Sequence, residues 1–313
     1  MPSPVRQSPV LASLGIVFAL FLLSCGRESV PPVGPSPPPS TEPRSTGPIA
    51  FVSTRDGSHA IYLANEDGST VTRLVATSVV SYPAWSPDRQ RLAFVRQPEG
   101  IFVLNVDGSG LRRIWGGTTS GPIDWSPDGS KLVFRAFGTD RGIFVMNSDG
   151  SDVTRLIDHA SAGSGCFGDE CGVESPTWSP DGQEIGVSTH SYLVNNLVAI
   201  SADGTRRRFL LQEYGGSPAW SPDGTKIVFE RGCCLDAEIA FVSADGSGRP
   251  LSLQISGKDP RWAPDGRIVF SAVTAGRRRI FIATGAGSPR QLIPEATAPA
   301  NPGYEDCCAV WAR

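Results

Sequence analysis

Trp220-Ser-Pro-Asp-Gly224, followed at once by Ile227-Val-Phe229 and then by an alternating stretch from Ile239 to Asp245-Gly246, is the segment that decides the fold. Proline presets φ at the first corner of a turn, Asp bonds its own backbone, and Gly accepts a positive φ. Flanked by apolar runs, such a turn joins two strands into a hairpin. The Asp-Gly pair that closes the alternating stretch marks a second hairpin turn. Trp220 stands where a large flat side chain fills space between packed sheets.

The same unit recurs along the chain. Trp85, Trp125, Trp178, Trp220 and Trp262 each open a turn, at intervals of about 40 residues with one longer step between Trp125 and Trp178. An apolar strand follows each turn, at Leu92–Phe94, Leu132–Phe134, Ile185–Val187, Ile227–Phe229 and Ile268–Phe270, with a sixth copy at Ile49–Phe51. The alternating strand begins at Ile61, Ile101, Ile143, Leu197, Ile239 and Ile280, and all but the last run into Asp-Gly. Units of roughly 40–45 residues with four strands each are the mark of a β-propeller. Trp311, in Ala309-Val-Trp311, supplies the sixth Trp at the very end, with no turn after it. The expected fold is therefore all-β: a six-bladed propeller of four-stranded antiparallel blades. The C-terminal strand is expected to be innermost in the first blade, beside Ile49–Ser53, leaving no open sheet edge.

Composition agrees. The 313 residues include 35 Gly and 27 Pro, which suits a chain of tight turns, and neither a collagen nor a long helical bundle. The net charge of −3 argues against nucleic acid as a partner. The Trp-turn units resemble the propeller repeat of the TolB family and related secreted propellers. The resemblance covers roughly 49–313 and implies a fold, because one fold hosts many functions. In TolB an α/β domain precedes the propeller. Here a signal and a proline-rich stretch stand in that place.

Residues 1–24 read as an export signal, with Arg6 ahead of an uncharged apolar run from Val10 to Leu23 that is too short to span a bilayer. Leu22-Leu23-Ser24-Cys25 resembles the bacterial lipoprotein box, which implies lipidation at Cys25 and a membrane anchor. Gly26, in place of Asp, resembles the pattern of lipoproteins sent to an outer membrane. Residues 25–48 form a proline-rich linker favouring polyproline II, and 49–313 the propeller. The expected location is exported and lipid-anchored, on the periplasmic side or at the cell surface.

With strands named A to D from the axis outward, A–B and C–D turns share one face, and B–C and D–A loops share the other. The turn face is uniform; the loop face varies, and variable loops on a rigid scaffold carry binding. This sorting puts Cys166, Cys171, Cys233, Cys234, Cys307 and Cys308 on the loop face together with His59, His159 and His190. In an exported protein those cysteines are candidate disulfides, with connectivity open. The sharper alternative is a metal site from His159, Cys166, Cys171 and His190; the loose spacing of its cysteines counts against it, and no cofactor is expected. Arg55, Arg96, Arg141 and Arg231, with Arg277 in the basic run Arg277-Arg278-Arg279, also fall on the loop face. They are expected to line a funnel that attracts a carboxylate or an acidic segment, although the run itself also reads as a solvated connector. The Asn-x-Asp-Gly-Ser units at 65–69, 105–109 and 147–151 lack the glutamate that closes a calcium loop and read as hairpin turns. No catalytic constellation is recognisable. The expected function is a monomeric, lipid-anchored scaffold for an envelope protein or peptide. A secreted lyase or hydrolase on a polysaccharide is the alternative.

Overall fold

A computed structural model describes residues 47–76, 79–138, 141–158, 172–190, 195–232, 237–285, 287–293 and 304–312. The export signal, Cys25 and the linker up to residue 46 lie outside them. So do His159, Cys166, Cys171, Cys233 and Cys234.

The quoted turn forms as its residues dictate. Ser221 N–H donates to the Lys226 carbonyl at 2.8 Å, and Gly224 N–H donates back to the Ser221 carbonyl at 2.9 Å. Gly224 takes φ +72°, where a β-carbon would strain the backbone. The Ser221 hydroxyl donates to Asp223 at 2.6 Å, and Thr225 N–H donates to the same carboxylate at 3.0 Å. These bonds to the charged form hold Asp223 down at about 2, the serine hydroxyl contributing most. Asp128, Asp203 and Asp245 are likewise held at about 2, each first by a serine two positions earlier. The three Asn-x-Asp-Gly-Ser units are turns of the same kind, with Asn65, Asn105 and Asn147 donating to Ser69, Ser109 and Ser151.

A depressed carboxyl stabilises the fold above its unfolded value and loses that contribution as pH falls through its folded value. The melting temperature is therefore expected to drop as pH is lowered from about 4 toward 2. A variant with Asp128, Asp203, Asp223 and Asp245 all changed to Asn should give a flatter profile in that window. Thermal melts at stepped pH test this, and equal slopes in the two proteins would refute it.

Twenty-four strands form six sheets among the described residues. The first blade holds β1 (Ile49–Ser53), β2 (Ala60–Ala64) and β3 (Val71–Ala76). The second holds β4 (Val80–Trp85), β5 (Arg91–Arg96), β6 (Gly100–Asn105) and β7 (Arg112–Trp115). The third holds β8 (Asp124–Trp125), β9 (Lys131–Ala136), β10 (Gly142–Asn147) and β11 (Thr154–Asp158). The fourth holds β12 (Gly172–Trp178), β13 (Glu184–His190), β14 (Asn196–Ser201) and β15 (Arg207–Leu211). The fifth holds β16 (Gly215–Trp220), β17 (Lys226–Arg231), β18 (Glu238–Ser243) and β19 (Leu251–Ser256). The sixth holds β20 (Lys258–Trp262), β21 (Ile268–Thr274), β22 (Arg277–Ala283) and β23 (Arg290–Gln291). The last strand, β24 (Asp306–Trp311), returns to the first blade and pairs antiparallel with β1, Ile49 opposite Trp311 and Ser53 opposite Asp306. The ring is closed by its own two ends, as the repeat count requires.

Each repeat Trp packs against the blade before it. Trp125 joins the apolar cluster of blade two with Ala93, Val95 and Ile101, and its indole N–H donates to the Ala84 carbonyl at 3.1 Å. Trp262 does the same to Ala219, also at 3.1 Å. Trp311 packs with Val269, Ile280 and Ile282 of blade six. The core is thus six inter-blade layers, each sealed by one Trp. Trp115, the one Trp outside the repeat position, is half-buried against the edge of the blade-two cluster and tilts against Phe134.

Candidate functional site

The inner strands carry a feature that the turns do not. Three residues before the Trp, the backbone turns left-handed at Tyr82, Ser175, Ser217, Asp259 and Cys308, with φ between 46° and 56°. Non-glycine residues avoid that region, at a cost of roughly 1–3 kcal/mol each. In each of these strands the pairing register shifts at this point, between Ser81 and Ala84, Glu174 and Thr177, Gly216 and Ala219, Lys258 and Arg261, and at β24 opposite Ala50 and Val52. This is a β-bulge, which re-aims a side chain. In four of the five, proline follows: Pro83, Pro176, Pro218 and Pro260. A bulge leaves an N–H unpaired, so a residue without one fits there. Blade three departs. Its inner strand is only Asp124–Trp125, preceded by Gly121 at φ +107° and Pro122. There the Asp124 carboxylate reaches the next blade, accepting from Trp178 N–H at 2.8 Å and from the Thr177 hydroxyl at 3.1 Å.

The bulges bring Tyr82, Asp259 and Cys308 to the wall of the axial channel, beside Pro122, Pro176 and Arg261. The free space at this neck is about 30 Å³, room for one water molecule. On the turn-face side the channel widens to about 260 Å³, framed by Trp85, Trp125, Trp178, Trp220 and Trp262 and by the proline two residues after each. Beside the bulges, charged pairs bridge neighbouring blades. Glu230 pairs with Lys258 at 3.5 Å and accepts from Asp259 N–H at 2.8 Å, bridging blades five and six. Arg135 pairs with Glu174, bridging blades three and four. Burial, and then the charge of Glu230, pushes the Asp259 carboxyl up. Burial pushes the Tyr82 phenol up as well. Cys307 and Cys308 follow Asp306 in β24, with their sulfurs 2.9 Å apart. They are part of the inner strand and not of a loop.

The arginines assigned to an open funnel are otherwise engaged. Arg55 is buried. It bonds Asp306 at 3.1 Å and lies over the rings of Phe51, Tyr62 and Tyr304, so it holds the closing strand. Arg96 pairs with Glu99 at 2.8 Å and covers Phe102. Arg231 pairs with Glu213 at 3.2 Å, and Arg141 donates to the Gly138 carbonyl at 3.3 Å. Arg277 and Arg278 are half-buried in β22, while Arg279 is 1% exposed. The run is therefore a strand and not a solvated connector. Arg279 stacks 3.9 Å from the Tyr304 ring centre and donates to the Tyr304 carbonyl at 2.6 Å. His59 is exposed in the β1–β2 loop, and His190 is the last residue of β13. Among the described residues no group of three His, Cys, Asp or Glu is placed to hold a metal. The channel residues themselves escape notice in the repeat, although the signal is present: the residue before the proline that precedes Trp by two.

Residues 34–217 match the TolB beta propeller domain family. The chain belongs to that family. Its fold is similar to that of TolB from Acinetobacter baumannii, with TM-score 0.72 at 20% identity over 86% of this chain and 68% of that one. It is similar also to a chain of a nidogen/laminin complex, with TM-score 0.63 at 13% identity over 83% of this chain and 98% of that one. An oligogalacturonate lyase in complex with manganese gives TM-score 0.53 at 14% identity over 80% and 87%. At these identities the likeness is one of fold. A comparison with curated proteins finds no match. What distinguishes this TolB-family propeller must be sought in its own channel.

Proposed function

We propose that the protein is a cell-envelope scaffold, anchored by a lipid on Cys25 and held away from the membrane by its proline-rich linker. It binds a protein or peptide segment at the loop-face mouth of the channel and carries out no chemistry on it. The observation that supports this reading is the ring of bulges that sets Tyr82, Asp259 and Cys308 beside the Glu230–Lys258 and Arg135–Glu174 pairs on rigid strands. Polar groups of both signs on a fixed wall suit the backbone and side chains of a peptide. The neck admits no side chain, so a segment enters from one end and stops. The complex in which the nidogen/laminin propeller is found is in keeping with a propeller used for protein assembly.

Photo-crosslinking side chains placed at His59 and at Val273, both exposed on the loop face, should capture the same envelope partner. One at Ser109, exposed on the turn face, should not. Lys258→Glu adds a third carboxylate beside Glu230 and Asp259 and is expected to weaken binding at least about tenfold, or about 1.4 kcal/mol. Capture from Ser109 alone would move the site to the Trp–Pro recess and refute this reading. Turnover of a polysaccharide by the purified protein would refute the absence of chemistry.

A further inference from the structure

Three of the five bulge residues, Tyr82, Asp259 and Cys308, line the channel, and only in β24 does a second cysteine, Cys307, stand beside the bulge residue. Cys308 occupies the left-handed position, at φ +56°, and Cys307 pairs with Val52 on β1. The Cys308 thiol donates to the Cys307 sulfur across 2.9 Å. Both side chains are half-buried, and Cys308 lines the neck with Tyr82 and Asp259. No other sulfur among the described residues stands near them.

We propose that Cys307 and Cys308 form a dithiol site that reacts as a unit with disulfides, closing into a bond between neighbouring residues on the channel wall. Cys307 thiolate attacks one sulfur of a disulfide R–S–S–R, forming a Cys307–S–S–R mixed disulfide and releasing one thiolate. Cys308 then gives up its proton and attacks the Cys307 sulfur, forming the Cys307–Cys308 bond and expelling the second thiolate. The protein dithiol loses two electrons and two protons; the external disulfide gains them as two thiols. The hydrogen bond fixes the order. Cys308 keeps its proton, its thiol pushed well up first by that bond to Cys307 and then by burial, so Cys307 is the attacking group and Cys308 the resolving one.

The geometry also separates this site from a structural cross-link. Neighbouring Cα atoms lie about 3.8 Å apart across a trans peptide, closer than the usual disulfide span of roughly 4.4–6.8 Å. A bond between them encloses no loop, so it removes no loop entropy from the unfolded chain. Its effect is local. It replaces two S–H groups beside Tyr82 and Asp259 with an apolar bridge, in a bond that thiols readily reopen.

The chain provides a clean readout. Trypsin cuts after Arg290, and the peptide 291–313 contains Cys307 and Cys308 and no other cysteine. The full-length reduced protein is incubated with 2-hydroxyethyl disulfide, alkylated and digested. The expected product is peptide 291–313 unalkylated and lighter by two hydrogen atoms, restored to two alkyl groups by prior treatment with dithiothreitol. In Cys308→Ser, the mixed disulfide should persist on Cys307. The melting temperature should be the same for the oxidised and reduced forms of the pair. Peptide 291–313 doubly alkylated after the disulfide treatment would overturn the proposal. So would its recovery joined to a peptide carrying Cys166, Cys171, Cys233 or Cys234.

Discussion

A chain ending after Cys308 is expected to lose its cooperative unfolding transition altogether. The five residues removed include Trp311 and Ala312, both fully buried, and Ala309, nearly so. They also include the bonds that lock the two ends together: the Trp311 indole to the Gly47 carbonyl at 3.1 Å, and Ala312 N–H to the Pro48 carbonyl at 3.0 Å. Without them β1 becomes an open edge, and Val269, Ile280 and Ile282 of blade six lose the aromatic plate that covers them. Arg267, which lies 4.7 Å from the Trp311 ring centre while bonding Glu66 in the first blade at 2.8 Å, loses its seat as well. The single change Trp311→Ala isolates the aromatic share and should cost about 3–5 kcal/mol. Trp115→Ala serves as the reference. That ring is half-buried outside the repeat position, and its loss should cost visibly less. Differential scanning calorimetry of the three proteins decides the matter, and a truncated chain that melts at the wild-type temperature would show that the ring does not depend on its C-terminal strand.

The contrast between what the repeat reveals and what it conceals has a physical basis. Trp220-Ser-Pro-Asp-Gly224 is legible because every interaction that shapes it lies within six residues. Five copies of this local signal, with six of the apolar strand that follows it, make a fold, and Trp311, which has no turn after it, tells where the ring closes. The bulge at Tyr82, Ser175, Ser217, Asp259 and Cys308 is local too, but its residue types differ from blade to blade. Only the proline that follows marks the position, and β24 lacks even that. Arg55 and Arg279 carry no local mark at all. Their letters match those of solvated cations, and the groups that bury them, Asp306 and Tyr304, come from the far end of the chain. A charge run such as Arg277–Arg279 conceals this most effectively, because along a strand successive side chains point to opposite faces. Arg278 is turned from Arg277 and Arg279, and of those two only Arg279 lies against Tyr304 and is buried, while its neighbours remain half-exposed.

Those two buried cations make Asp306 a position where a single substitution does damage on the scale of Trp311→Ala. Asp306 is 1% exposed, and Arg55, bonded to it at 3.1 Å, is 8% exposed. Burial pushes the Asp306 carboxyl up, even though Ser53, Arg55 and Arg279 pull it the other way. The charged form is thus held at some cost, and its value lies in balancing two buried guanidiniums. Asp306→Ala removes the balance and leaves both cations in place. Breaking a buried pair from one side costs about 3–5 kcal/mol. For a domain of this size that lowers the melting temperature by on the order of 10 °C. Asp306→Asn keeps the shape and one acceptor and should recover part of the loss. The pH dependence supplies a second readout with a fixed sign. A carboxyl raised in the folded state contributes most below its unfolded value of 3.8 and loses that contribution as pH rises through its folded value. This slope is opposite to that of the turn aspartates and sits above them in pH. In Asp306→Asn it should be missing, while the acid-side loss from Asp128, Asp203, Asp223 and Asp245 remains. Equal melting temperatures for wild type and Asp306→Ala would mean that the closing strand is held by its apolar face alone.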